Sequence, residues 1–137
     1  MLDRIVLAAA RRYVPQGWAP TPAAPSTFAA LCAAWSPDAP LTVYDGASGA
    51  TIYAAPEINH AFRAWHDACH VALGADFTVR GEMRTAALQL RQAAALGADA
   101  RTLALLRADT VGQVQYFRAF GRFVDDQRAF VARYLKG

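Results

Sequence analysis

The feature that most constrains this chain is a change of character at Pro56. From there to the end, apolar residues recur at helical spacing, and only Gly74, Gly97 and Gly121 interrupt the pattern. The spacing predicts helices over about 57–73, 80–96, 100–119 and 126–135. Each of the three glycines stands where a left-handed residue ends a helix at little cost. Asp99 and Asp125 are the expected N-caps of the last two helices.

Upstream of Pro56 the reading is more mixed. Residues 2–13 form a short amphipathic helix, and the prolines between Pro15 and Pro25 break it. Ser26 is the expected cap of a helix over Thr27–Trp35. Leu41–Asp45 and Ala50–Ala54 are β-prone runs joined by Gly46-Ala-Ser-Gly49, the pattern of a β-hairpin. The expectation is a single mainly α domain over 1–137. It comprises N-terminal helices and a Pro-rich linker (1–40), a β-hairpin (41–55) and a three- to four-helix bundle (56–137).

Composition narrows the function classes. Hydrophobic residues make up 55% and charged residues 18% of the 137, enough for a packed core and little for a free surface. The low charge points to a face covered by a protein partner or by a second copy of the chain. Of 14 basic residues only Lys136 is a lysine, and the arginines are scattered. Nucleic-acid binding needs a contiguous basic patch, so it is weakly supported. Cys32 and Cys69 have no framework spacing, and no apolar run reaches the ~20 residues of a membrane span, so a cytoplasmic location is the expectation. The N-terminal apolar run has its charges in the wrong order for a signal peptide.

The chemistry concentrates on the helix after Pro56, which carries all three histidines. His66 and His70, four residues apart, project from one face in a stripe with Asn59 and Arg63. His60 and Asp67 point elsewhere. Ile58, Ala61, Phe62, Trp65, Ala68, Cys69 and Ala72 form the apolar face, and Phe117, Phe123 and Phe130 are expected in the core. The next helix offers a stripe of Glu82, Ala86, Gln89 and Ala93. The third offers Asp109, Gln113 and Tyr116.

If these stripes face one another, His66, His70, Glu82 and Asp109 converge as metal ligands. Asn59, Gln89, Gln113 and Tyr116 would then orient them by hydrogen bonds. Two imidazoles and two carboxylates suit zinc, manganese or iron. An open position would permit metal-dependent hydrolysis, with Asp67 or Glu82 moving the proton. The competing expectation is a non-catalytic interaction protein of a phage or plasmid, in which the same stripes are a hydrogen-bonded layer that sets helix register.

Three resemblances bear on this. His66-Asp-Ala-Cys-His70 resembles the HExxH signature of zinc metalloproteases, with Asp67 where that family has its glutamate base. His66-Asp67 with Asp109 downstream is similar to the HD-domain phosphohydrolases, whose first histidine would correspond to His60. Asn59-His-Ala-Phe-Arg-Ala-Trp-His-Asp-Ala-Cys-His70, with Gly81-Glu82 and Gly112-Gln113, resembles uncharacterised small proteins of bacterial, phage and plasmid origin. That likeness spans about residues 43–130 and implies a mobile-element context.

Overall fold

A computed structural model describes all residues 1–137. In chain order the elements are α1 (Leu2–Tyr13), β1 (Trp18–Thr21), α2 (Phe28–Ala34), β2 (Leu41–Tyr44), α3 (Pro56–Leu73), α4 (Val79–Ala95), α5 (Ala100–Arg107), a π-helical turn (Ala108–Gly112), α6 (Gln113–Phe120) and α7 (Gln127–Lys136). The fold is mainly α, as expected. No helix is long and apolar enough to cross a membrane.

Helix α3 is the axis of the molecule, because apolar residues occupy more than one of its faces. Phe62, Trp65 and Cys69 pack against Ile5, Val6, Ala9 and Ala10 of α1, with Ala93 of α4 and Leu106 of α5 closing the cluster. Ala64 and Ala68, on another face, receive Val14, Leu31, Leu41 and Val43. Trp65 is fully buried, and its Nε1–H donates to Gln92 Oε1 at 2.7 Å. The indole thus enters the core without an orphaned donor.

The expected hairpin does not form. β2 pairs in parallel with β1, in the register Trp18 to Leu41 and Thr21 to Tyr44, and α2 lies in the crossover. Pro20 is tolerated because a two-stranded sheet leaves every strand one free edge. Residues 50–54 are not a strand. Their carbonyls turn instead to the last helix, where Arg128 N–H donates to Ala50 O and Arg128 Nε to Thr51 O.

The helix boundaries hold closely, and the caps differ in detail. Gly74, Gly97 and Gly121 all have positive φ. Asp99 caps α5 by accepting from Thr102 N–H, as expected. Thr27, not Ser26, caps α2, and Asp126, not Asp125, caps α7. Ala72 is exposed. Phe117 and Phe123 are not core either: they are 37% and 73% exposed, paired with each other at 4.8 Å on the surface. No further layer of the chain covers that face.

Candidate metal centre

Two local devices place His70, the first histidine of the group. Gly74, in the left-handed conformation, ends α3 and reverses the chain, and Ala75 N–H then donates to His70 O at 3.0 Å. The same turn returns the Ala75 carbonyl to the imidazole. His70, fully buried, donates its Nδ1–H to Ala75 O at 2.8 Å, while Thr85 Oγ1 stands 3.3 Å from the same nitrogen. A backbone carbonyl can only accept, so neutral His70 carries its lone pair on Nε2.

His66 is oriented in the same way from the other side. Its Nδ1–H donates to Gln89 Oε1 at 2.7 Å, with Gln89 itself buried on α4. Phe62 and Phe77 wall the two rings: Phe62 stacks on His66, and Phe77 stands edge-on to His70 at 4.8 Å.

The carboxylate arrives from the first turn of α4. Thr78 caps that helix by accepting from Gly81 N–H at 3.1 Å. Gly81 is buried there, and a Cβ on it would run into the Asp76 carbonyl oxygen. The absent side chain lets the turn lie close against the end of α3. Glu82 is the next residue, with Oε2 at 3.0 Å from His66 Nε2 and 3.1 Å from His70 Nε2. The two Nε2 atoms are 3.1 Å apart. His66, His70 and Glu82 form a group that could hold a metal ion.

Three atoms that all prefer to accept hydrogen bonds therefore meet at one point. Only a cation or a proton among them makes that arrangement favourable. Burial is the largest single influence on His66 and lowers its pKa. The Glu82 hydrogen bond and charge, aided by Asp67 and Gln89, outweigh it and raise the imidazole to about 9. Burial likewise pushes Glu82 up, and the two histidines overcome it, bringing the carboxyl down to about 2.

Asp109 does not join this group. Its carboxylate is engaged by Tyr53 O–H, which donates to Oδ2 at 2.8 Å, and by Gln113 Nε2, which donates to Oδ1 at 2.7 Å. The backbone reason is the π-helical turn, which adds a residue to the helical path at Asp109 and rotates the residues after it away from ideal α register. Tyr116 is also elsewhere, in an aromatic cluster with Phe120 and Phe130. His60 lies on a different face of α3 and outside the group.

Asp109 and Gln113 nevertheless line the same cavity as His66 and Glu82, a space of about 650 Å³ that Asn59 also borders. Asp67 reaches an adjoining cleft of about 210 Å³ together with His66, His70 and Glu82. Burial raises its carboxyl to about 6, against the pull of the two histidines.

Several participants carried no clear signal in the sequence. Tyr53 falls in a segment read as strand, and the role of Ala75 is purely backbone. Thr85 follows Glu82 by three residues and Gln92 follows Gln89 by three, so helical spacing could have drawn both into the stripe. Gln92 accepts from Trp65 Nε1 and from the Cys69 thiol. Cys69 itself is buried and raised to about 12 by desolvation, a core residue and not a nucleophile.

Compared with family models, with curated proteins and with solved structures, the chain matches none.

Proposed function

We propose that this protein binds a divalent metal through His66, His70 and Glu82 and uses it for hydrolysis. The observation that carries the reading is the pair of pinned tautomers. Both Nδ1 atoms are committed as donors, to Ala75 O and Gln89 Oε1, which aims both Nε2 lone pairs at Glu82 Oε2. Such outer hydrogen bonds are characteristic of histidines that bind metal.

Two imidazole nitrogens and one carboxylate oxygen within 3.1 Å of one another are a donor set that zinc, manganese or iron would each accept.

The bound ion would supply Lewis-acid activation of water. Glu82, placed between the histidines, acts as ligand, which leaves Asp67 to accept and return the proton from the adjoining cleft. The HExxH likeness supports the same division, since Asp67 stands in the place of that family's base.

A second reading has one observation in its favour. A proton held on His66 up to about pH 9 closes the triangle without any metal. The group would then be a structural layer in a non-catalytic interaction protein of a phage or plasmid.

Metal analysis of untagged protein separates the two. One equivalent of manganese, iron or zinc in the wild type, absent from His70→Ala and reduced in Glu82→Gln, supports the metal reading, and assays on ester and amide substrates come next. Metal-free protein that takes up none of these ions on reconstitution sinks it.

A further inference from the structure

Arg63 is a charge without a counterion at the wall of the main cavity. That space, about 650 Å³, has the size of a typical small-molecule site, ~300–1,000 Å³, and Arg63 lines it with Phe62, His66 and Val114. The residue is half-buried, yet the ion pairs of the fold are His66–Glu82, His70–Glu82 and Arg122–Asp125, and none includes it. Desolvation lowers its pKa, against the pull of Tyr44, Asp109, Asp45 and Asp67. A guanidinium drawn partly out of water and left unpaired is costly, and an anion from outside the chain would relieve that cost.

Its donors are only partly used. Of the five N–H groups on a guanidinium, two are engaged, one on Nη1 by Tyr44 O and one on Nη2 by Ala47 O. These bonds brace the fork against the end of β2 and the loop after it. Nε–H has no partner in the chain. The unpartnered side-chain nitrogens that solvent cannot reach belong to Gln16, Asn59, His60 and Gln89, so the Arg63 Nε–H stays accessible.

The neighbouring acids leave room for one negative charge. Burial raises the Asp109 carboxyl, and Tyr53 and Gln113 engage its two oxygens. Glu82 lies between two histidines, of which His66 keeps its proton up to about pH 9. Asp67 lines the adjoining cleft and not the main cavity. A single guanidinium in this company matches one charge better than two, which favours a carboxylate over a phosphate monoester dianion.

We infer that the cavity binds a small carboxylate with an apolar body, its oxygens accepting from Arg63 and its hydrocarbon lying against Phe62, Val114 and Phe117. Arg63 and His66 are three residues apart on α3 and so neighbours on its surface, which anchors the carboxylate about one helical turn from the metal group. An ester or amide a few bonds from that carboxylate comes within reach of the group. Water then adds across its C–O or C–N bond, giving an acid and an alcohol or amine. As a ligand site the pocket stands without metal; as a substrate site it rests on the metal reading above.

The test titrates three probes into chelator-treated full-length protein by isothermal calorimetry and saturation-transfer NMR. They are hippurate, which joins a phenyl ring, an amide and a carboxylate, its uncharged amide hippuramide, and phenyl phosphate. Manganese uptake is followed separately by electron paramagnetic resonance. Hippurate is expected to bind about tenfold more tightly than either comparator. Arg63→Gln should weaken hippurate about tenfold and leave hippuramide unchanged, which a merely structural arginine would not do. Val114→Trp should abolish hippurate binding by filling the cavity, with manganese uptake retained in both variants. Equal affinity for hippurate and hippuramide, tighter binding of phenyl phosphate, or unchanged hippurate affinity in either variant would overturn the inference. Should Arg63→Gln not fold, Val114→Trp and the three probes on the wild type decide it. Hippurate binding without manganese uptake refutes the metal reading and leaves the carboxylate site standing; manganese uptake without hippurate binding does the reverse.

Discussion

His70 Nδ1–H donates to the carbonyl of Ala75, five residues on, across the turn that Gly74 makes. One glycine thereby sets the tautomer of a histidine, and that tautomer directs a lone pair at Glu82. The corresponding device on His66 is a side chain, Gln89, and so is open to substitution.

Replacing Gln89 should therefore weaken metal binding without removing a ligand. Gln89→Leu is expected to lower metal affinity by roughly 10–100-fold, the usual effect of losing a partner that orients a metal-bound histidine. Competition against a chelating dye would measure it. An affinity equal to wild type would show that Gln89 only fills space.

Gly81→Ala should disturb the site from outside it. The new Cβ would collide with the Asp76 carbonyl, so the first turn of α4 must move, carrying Glu82 with it. Overpacking of this kind costs about 1–3 kcal/mol. Urea unfolding should show that loss, and metal affinity should fall with it. A variant as stable as the wild type would mean that the turn relaxes freely.

Asp109 separates charge from hydrogen bonding. Burial raises its carboxyl, although Tyr53 and Gln113 pull the other way by donating to it, so the folded protein favours the protonated form more than the unfolded chain does. Ionised Asp109 therefore costs stability at neutral pH, and that cost vanishes as pH falls. Asp109→Asn retains an acceptor for Tyr53 and should be neutral or stabilising at pH 7. Asp109→Ala leaves the buried Tyr53 hydroxyl unpaired and should cost about 1–3 kcal/mol. Equal stability of the two variants would contradict the arrangement.

The metal-free protein should be most stable in mild acid. His66 is raised from 6.5 to about 9, so its contribution is full below 6.5 and is lost as pH rises through 9. Glu82 is lowered from 4.5 to about 2, so its contribution is full above 4.5 and is lost as pH falls through 2. Asp67, raised from 3.8 to about 6, lowers stability progressively as pH rises from 3.8 to 6 and so favours the acid side. The optimum from these three groups lies between about 3.8 and 4.5, where the gain from Glu82 and the loss from Asp67 balance. Metal must displace the His66 proton, so affinity should climb with pH toward 9 with release of roughly one proton per ion. Thermal melts with and without metal across this range would test both trends, and a metal affinity that does not change between pH 6 and 9 would contradict the second.

Much of the helical half was legible because its signals are local. Helical period, left-handed glycines and the Asp99 cap depend on neighbours within a few residues, and α3 to α5 formed where they were expected. The hairpin failed for the opposite reason. Leu41–Tyr44 is equally fit to pair with a following or a preceding strand, and the choice went to Trp18–Thr21 through contacts far apart in sequence. The exposed Phe117 and Phe123 have the same origin, since periodicity marks an apolar face and says nothing of what covers it.

The site divides along the same line. The four-residue step from His66 to His70 on one helix already puts two imidazoles on one face, since helix geometry alone ensures it. Whether carboxylates join them depends on the packing of separate helices. Glu82 arrives because Gly81 allows a close approach. Asp109 is diverted because the π-helical turn hands it to Tyr53 and Gln113. A chain's local code specifies which residues share a face; which faces meet is settled by the burial of Trp65 and its neighbours, a balance struck over the whole core.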